Sequence, residues 1–445
     1  MHPKKQLEWL LGSLKTGAGF FLAACWVRWL IAERRTRLRR GARNAVFPGG
    51  IAQLVERLVR NEKARGSNPL TSTLFFYMPA LPVPDHLRTW VEIDLGALRR
   101  NLAFVRRRIG PGPGILAVVK ANGYGHGVAD IVRTLADDTE VFGVANVKEA
   151  VEVSSAASGR SVMLLSPCLP AEYETAVRSG YIVTVSSADE AFAYSRHGDV
   201  SVNFKIDTGM GRAGCAAGFA VEEVRRVLGM KGVFLHSIST HLPSADEDEV
   251  FTREQLLGFD VLTAELRGLA GGAKFHVLNS AGVLTRPEHR LDLVRPGLIL
   301  YGISPLPEYS SQIEPVLSWK SRVVLLRDLP AGASVSYGRS FIAEKPIRTA
   351  LVAVGYADGF PRQVSGRGAC VLVHGIRCAV LGRVTMDQIV VDVSQVQGVE
   401  LGNEVTLIGC DGVEKIDVSE LASQAGTISW EILTGIGRRV EHFHI

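Results

Sequence analysis

A lysine at the end of an apolar run is the first feature of the sequence that could do chemistry. The stretch ILAVVKANGYGHG (115–127) places Lys120 after five apolar residues and before a glycine-rich segment that holds Tyr124 and His126. Burial at such a position removes solvent from the ammonium and lowers its pKa towards that of a nucleophilic amine. That amine could form a Schiff base with a carbonyl cofactor such as pyridoxal phosphate. A lone lysine at a strand end is more often a surface residue, so support must come from other segments.

Short apolar runs recur along the chain after residue 115, with helix-like segments between them. They predict strands near residues 115–119, 141–145, 162–165, 181–185, 202–206, 235–239, 275–278 and 292–294. Strands that alternate with helices in this way indicate an α/β fold, a (β/α)8 barrel of the TIM type. The functional groups of such a barrel lie at the C-terminal ends of its strands, which is where the pattern places Lys120.

The pattern changes past about residue 317, where β-rich segments with few helical periods begin. We therefore predict a barrel domain over residues 78–317 and a mostly β C-terminal domain over residues 318–445. The segment WVEID (90–94) precedes the first predicted barrel helix, over residues 96–110, and could pair into the β domain.

Charge is unevenly distributed along the 445 residues. Residues 1–77 hold 14 lysines and arginines against 4 acidic residues, whereas the remainder holds 36 against 41. The mildly acidic body gives no indication of nucleic-acid binding. The six cysteines are scattered without metal-ligand spacing, which is typical of a cytosolic protein with reduced thiols and no metal site.

The first 77 residues have a sequence unlike that of the body. The segments GIAQLVER (50–57) and RGSNPL (65–70) resemble the conceptual translation of the D arm and T arm of a transfer-RNA gene, and Met78 offers a later start. We predict that residues 1–77 are a non-native N-terminal extension. A membrane anchor is the alternative, but the apolar run GFFLAACWV (19–27) is too short to span a bilayer.

Several distant segments together resemble the alanine racemase family. The resemblance covers about residues 88–440, in the family's order. It is carried by AVVKANGYGHG (117–127), KIDTGMGR (205–212), STH (239–241), NS (279–280), VRPGL (294–298) with YG (301–302), SYGR (336–339), VGYADG (354–359) and GRVTMDQ (382–388).

This resemblance implies a pyridoxal-phosphate enzyme with two catalytic bases. Lys120 would carry the cofactor as an internal aldimine and act on one face of the substrate, and Tyr337 would act on the other. Racemisation needs two such groups because one face loses a proton and the other regains it. In the family this tyrosine comes from the second chain, so the resemblance also implies a homodimer with shared active sites.

Further cofactor contacts are implied in the same way. Arg295 would face the pyridine nitrogen, with His241 supporting it. An arginine there cannot give up its proton. The phosphate would be held by Tyr124, Ser280 and the backbone amides of Gly297 and Leu298.

The substrate amino acid would meet a second group of residues. Arg212 would lie near the cofactor phenolic oxygen and the substrate carboxylate. Lys205 matches a lysine that is carbamylated in some members, although an ordinary ion-pairing lysine is equally consistent. The amide of Met386, supported by Asp387, would bind the substrate carboxylate, and Tyr356 would line the corridor that leads to the site.

One departure from the family pattern bears on specificity. Trp430 stands where tyrosine is common, beside the cofactor phosphate. The leading interpretation is a cytoplasmic bacterial alanine racemase that supplies D-alanine for peptidoglycan. The alternatives are a serine or broad-specificity amino-acid racemase, and a pyridoxal-phosphate homeostasis protein, which generally lacks the β domain. A membrane-anchored racemase would require residues 1–77 to be genuine.

Overall fold

The computed structural model describes Pro84 and residues 86–445. The predicted extension over residues 1–77 lies outside the described residues. Within the described part, no helix is both long and apolar enough to cross a membrane.

A capped helix begins the barrel part. Strand β1 (Thr89–Ile93) leads into the helix Leu95–Ile109 through Asp94, whose Oδ1 accepts a hydrogen bond from the amide of Ala97 at 2.8 Å. This side chain satisfies one of the amides that a helix N-terminus leaves without a partner. The helix ends at Gly110, which has a φ of 71°, a conformation that favours glycine.

Eight parallel strands close into a barrel, as predicted. The strands are β2 (Gly114–Val118), β3 (Val141–Val144), β4 (Ser161–Leu164), β5 (Ile182–Val185), β6 (Val200–Asp207) with the short β7 (Cys215–Ala216) beside it, β8 (Val233–Ser239), β9 (Lys274–His276) and β10 (Leu293–Val294). Their order is β5–β4–β3–β2–β10–β9–β8–β6, and pairing of β6 with β5 closes the ring. The runs are apolar and buried because helices cover a parallel barrel from outside.

Helices connect the barrel strands. They are Val128–Leu135, Val147–Ala156, Tyr173–Arg178, Ala188–Ser195, Ala220–Leu228, Glu249–Leu269 and Ser280–Thr285, together with the short turn Lys120–Tyr124 after β2. Each strand therefore ends in a connecting segment at the same rim of the barrel, which is the rim that can carry a site.

A second, mostly antiparallel sheet follows the barrel. Its strands are β11 (Leu317–Leu329), β14 (Ile347–Val352), β15 (Cys370–Val373), β16 (Ile376–Leu381), β17 (Ile389–Asp392), β18 (Glu404–Asp411) and β19 (Glu414–Ile416), and β12 (Ser334–Val335) pairs with β13 (Phe341–Ile342) separately. The helices Val418–Ala425 and Ser429–Thr434 and the strand β20 (Glu441–His444) complete the chain. The exact boundary between the two predicted domains remains a prediction.

Strand β1 belongs to this second sheet. It pairs antiparallel with β11 and parallel with β20, so residues 90–93 pair into the β part as predicted, whereas Asp94 caps the following helix. Trp90 on β1 and Trp319 on β11 are fully buried where these two strands pair. Trp319 Nε1 donates to Thr89 Oγ1 at 2.9 Å. The first and last described strands therefore lie side by side.

Candidate active site

A cavity of about 480 Å³ opens at the C-terminal rim of the barrel. Predicted site residues from distant segments line it together: Lys120, Tyr124, Lys205, Arg212, His241, Ser280, Arg295, Gly297, Leu298 and Trp430. The convergence follows from the topology, because the C-terminal ends of parallel strands all reach one rim.

The segment that begins with Lys120 is a left-handed turn. The residues Ala121, Asn122, Gly123 and Tyr124 have φ values of 52°, 55°, 62° and 54°. Non-glycine residues are strained in this region by about 1–3 kcal/mol each. Side-chain bonds hold the turn: Asn122 Oδ1 accepts from the amide of Val128 at 2.9 Å, and His126 Nδ1 donates to the carbonyl of Tyr124 at 2.9 Å.

Lys120 has the electrostatic surroundings of a reactive amine. Burial, and then the charge of Arg212, lower the pKa of Lys120, and Glu149 partly opposes this. Glu149 was not predicted. Its carboxylate accepts from the amide of Ala121 at 3.0 Å and from that of Ala145 at 2.8 Å, so it ties the lysine turn to the end of the neighbouring strand.

Two hydroxyls and a backbone amide form a cradle beside the lysine. Ser280 Oγ accepts from the amide of Gly297 at 3.0 Å, which fixes the serine at the beginning of the turn Leu298–Tyr301. A Cβ at Gly297 would lie 2.7 Å from Tyr124 Oη, so the space exists only with glycine there. Burial raises the pKa of Tyr124 to about 12, which keeps its hydroxyl as a donor. These groups and the nearby cations suit a phosphate, so the cavity fits pyridoxal phosphate.

Arg295 also lines the cavity, is buried, and is held by several hydrogen bonds. Its Nη2 donates to the carbonyls of Thr240 at 2.6 Å and Val277 at 2.9 Å, and its Nη1 lies 2.7 Å from His276 Nδ1. The predicted support, His241, is more distant, with Nδ1 3.4 Å from Nη2. Among the described residues Arg295 forms no ion pair, so its charge is available to a ligand.

His276 is the closest side-chain partner of Arg295 and was not predicted from the sequence. It lies in FHVLN (275–279), where a histidine inside an apolar strand carries no recognisable motif. Because a guanidinium only donates, His276 Nδ1 must be the acceptor and its proton must lie on Nε2. Burial, and then the charge of Arg295, hold the pKa of His276 well below its usual range.

Charge accumulates on the cavity wall. Burial, then the charges of Arg295, Arg212 and Lys120, lower the pKa of Lys205 to about 8, although Asp207 opposes this. Burial and the same cations lower the pKa of His241 to about 3, so this imidazole is neutral at physiological pH. Four cationic side chains line the cavity against two carboxylates, Asp246 and Glu247, so the lining is net basic, which favours a phosphate and a carboxylate together.

Arg212 is presented by a loop that Asp207 organises. The carboxylate of Asp207 accepts from the amides of Gly209 at 2.9 Å, Gly211 at 3.1 Å and Arg212 at 3.0 Å. Burial disfavours the carboxylate charge, but these amide bonds outweigh it and lower the pKa of Asp207. The loop can therefore hold the arginine side chain over the cavity.

The remaining predicted residues do not reach this cavity. Tyr337, Met386 and Tyr356 lie on loops of the β part, with 67%, 53% and 40% of their surface exposed, and Asp387 is next to Met386. None of them lines the cavity of the same chain. Within one chain the structure therefore gathers the predicted cofactor residues but not the predicted second base or the predicted substrate-binding loop.

Comparison with known proteins matches both the barrel part and the β part of the chain to domains of the same family. The family model "Alanine racemase, N-terminal domain" matches residues 93–305, and "Alanine racemase, C-terminal domain" matches residues 316–444. The alanine racemase of Methylacidiphilum infernorum (isolate V4) is 38% identical over 373 residues, which are 82% of this chain and 94% of that protein. That of Halothermothrix orenii is 38% identical over 362 residues, 79% of this chain and 95% of that protein.

Solved structures give the same result. The alanine racemase of Clostridium difficile 630 superimposes with a TM-score of 0.76 at 30% identity, covering 81% of this chain and 96% of that one. The alanine racemase from Bartonella henselae, solved with covalently bound pyridoxal phosphate, has a TM-score of 0.73 at 26% identity, covering 80% of this chain and 99% of that one.

Proposed function

The chain belongs to the alanine racemase family, a family of isomerases, and on that premise we propose that it interconverts L-alanine and D-alanine with pyridoxal phosphate as cofactor. The proposal extends to its place in the cell: a cytoplasmic enzyme whose D-alanine enters peptidoglycan. One observation carries the proposal. The same cavity is lined by Lys120, whose pKa is lowered, by the buried guanidinium of Arg295, and by the hydroxyl of Ser280 bonded to the amide of Gly297.

The cofactor residues divide the cavity between them. Tyr124, Ser280 and the amides of Gly297 and Leu298 would hold the phosphate, and Arg295 would face the ring nitrogen. Burial lowers the pKa of Arg295 to about 10, so it remains a cation at neutral pH and passes no proton to the ring. When bound, pyridoxal phosphate supplies a carbonyl carbon for amines and an electron sink that acidifies the Cα–H bond of an amino acid.

Two side chains would move the proton. The amine of Lys120 accepts it from, or returns it to, one face of the substrate Cα, and the phenol of Tyr337 serves the other face. One proton leaves Cα on one face and another arrives on the opposite face, so the configuration of the substrate is inverted while its composition stays the same. Arg212 and the amide of Met386, supported by Asp387, would orient the substrate carboxylate, and Tyr356 would line the corridor to the site.

A homodimer supplies the groups that one chain lacks. Tyr337, Met386 and Tyr356 are exposed on the β part and absent from the cavity of their own chain. We propose that a second copy presents them to the barrel rim, so that each cavity is completed by two chains.

A labelling experiment tests the activity. The protein with pyridoxal phosphate is incubated separately with L-alanine and L-serine in heavy water, and chiral chromatography and mass spectrometry follow the D product and the deuterium at Cα. Rapid, labelled D-alanine with slow D-serine supports the proposal. Cofactor binding without inversion or labelling of either amino acid would contradict it and favour the homeostasis protein, although the matched C-terminal domain speaks against that class.

A broader amino-acid racemase is the second candidate. Trp430 lines the cavity at a position where the family commonly has tyrosine, so a hydroxyl is lost and the pocket volume changes. Comparable rates with alanine and serine would support this candidate.

A further inference from the structure

Two loops of the β part are joined to each other along their backbones. The amide of Tyr356 donates to the carbonyl of Thr385 at 3.1 Å, and that of Ala357 donates to the carbonyl of Met386 at 3.0 Å. A Cβ at Gly355 would lie 2.4 Å from both carbonyl oxygens, so the approach requires glycine. The loop that carries Tyr356 and the loop that carries Met386 therefore form one unit, called here the paired loops (354–360 and 384–388).

Arg439 connects the two members of this unit through its side chain. Its Nε lies 3.1 Å from Asp358 Oδ1, and its Nη1 lies 2.9 Å from Asp387 Oδ1. Asp358 is buried, and its other oxygen accepts from the amide of Gly355 at 2.9 Å. The guanidinium therefore joins a fixed carboxylate in one loop to an exposed carboxylate in the other, using two nitrogens of one rigid plane.

The backbone of residues 435–437, just before Arg439, is in close contact with the paired loops. The amide of Gly437 donates to the carbonyl of Asp358 at 2.8 Å, and a Cβ at Gly359 would lie 2.3 Å from the carbonyl oxygen of Gly435. This contact sets the position of Arg439 independently of Asp387. The arginine can therefore act as an anchor for the Asp387 loop.

We infer that Arg439 is a positioning residue for the substrate carboxylate, because it fixes Asp387, and with it the neighbouring amide of Met386, relative to Tyr356. This inference rests on the proposed function, which assigns Met386 and Asp387 to the substrate. Arg439 lines a separate cavity with Asp358 and Asp387, and this cavity shares no lining residue with the cofactor cavity. Its removal should therefore weaken substrate binding and leave the cofactor in place.

The matched control is the preceding residue. Arg438 is also exposed, and in the described part of the chain it forms no ion pair, so Arg438→Ala removes the same charge from the same segment without breaking the link. Arg439→Lys keeps the charge but replaces the planar fork by one ammonium, which cannot reproduce both contacts in the same geometry.

Steady-state kinetics with L-alanine on the full-length holoenzyme test the inference. Arg439→Ala should raise KM about tenfold and change kcat by less than about threefold, as misplacement of a binding group predicts. Arg439→Lys should recover part of the loss, and Arg438→Ala should behave as the wild type. In an Asp387→Ala background, Arg439→Ala should add little, because both changes remove one linkage. Cofactor absorbance should be unchanged, and the melting temperature should fall only slightly, because Asp358 keeps its hydrogen bond from the amide of Gly355.

Three results would overturn the inference. KM could be unchanged in Arg439→Ala. The variant could instead lose cofactor, melting temperature and kcat together, which indicates a merely structural contribution. The effects of Arg439→Ala and Asp387→Ala could also be additive, which shows that they act separately. If the wild type does not racemise alanine in the same assay, the proposed function is wrong and the inference, which rests on it, fails as well. If the wild type is active and only the predicted effect of Arg439→Ala is missing, the inference alone fails.

Discussion

The guanidinium of Arg295 donates to Nδ1 of His276 at 2.7 Å, and both side chains are buried. His276→Phe should leave a buried guanidinium N–H without a partner, at a cost of about 1.5–3 kcal/mol in the free energy of unfolding. His276→Gln offers an acceptor oxygen and should cost less. Urea unfolding of the two variants and the wild type measures the difference, and equal destabilisation by Phe and Gln would rule out the hydrogen bond as the cause.

Acid should destabilise the protein through its buried histidines. Burial lowers the pKa of His126 to about 4, below the unfolded value near 6.5, so the unfolded chain binds the additional proton. The stabilising contribution is therefore complete above pH 6.5 and declines as the pH falls towards 4, by up to about 3 kcal/mol for this residue. Unfolding of His126→Gln, with exposed His374→Gln as the control, should show a shallower pH dependence only for the first variant.

Two inactive variants should restore activity to each other if the sites are shared. In a homodimer, either Lys120→Ala or Tyr337→Phe removes a required group from both sites. A mixed dimer has one intact site, because the Tyr337→Phe chain supplies Lys120 and the Lys120→Ala chain supplies Tyr337. Random reassortment after subunit exchange should recover about a quarter of wild-type activity. Mixing Lys120→Ala with the double variant Lys120→Ala/Tyr337→Phe should recover none. If the first mixture also remains inactive although exchange is demonstrated, the two groups do not serve one site across two chains.

Trp430→Tyr should sharpen the preference for alanine. Restoring the hydroxyl and the smaller ring at the cavity wall should lower kcat/KM for serine relative to alanine by about three- to tenfold. The ratio is best measured with both substrates competing in one reaction. An unchanged ratio would mean that Trp430 does not set specificity.

Lys205 should react with carbon dioxide. Because its pKa is lowered to about 8, a substantial fraction of the amine is neutral in mildly alkaline buffer. That amine can attack carbon dioxide and release one proton, and the resulting anion would face Arg212 and Arg295. With ¹³C-bicarbonate, NMR should show a carbamate resonance that is absent in Lys205→Gln, and its absence from the wild type would favour an ordinary ammonium.

The parts of the fold that a local pattern encodes were predictable. The apolar run before Lys120 located the strand and its functional end, because a parallel barrel buries its strands on both faces. His276 and Glu149 were not predictable. Each acts through a partner in a segment that follows another barrel strand, Arg295 for His276 and the amide of Ala121 for Glu149, and a single histidine or glutamate has no spacing that reveals such a partner. Arg439 was missed for the same reason, since its two carboxylates lie 81 and 52 residues away in the chain.

The alternating glycines at positions 123, 125 and 127 account for only part of the backbone geometry of the lysine turn. The three glycines have positive φ, but Ala121, Asn122 and Tyr124 adopt left-handed geometry as well. Their conformation depends on bonds from Asn122, His126 and Glu149, which the sequence alone does not connect.

The pairing of β20 with β1 has a consequence for biosynthesis. His442, on β20, bonds to the carbonyl of Gly125 at 2.8 Å, although the two residues are 317 positions apart in the chain. During translation the lysine turn leaves the ribosome long before this contact can form. The support that His442 gives to the lysine turn therefore forms only after nearly all of the described chain has been made, although the barrel strands themselves are complete by residue 294.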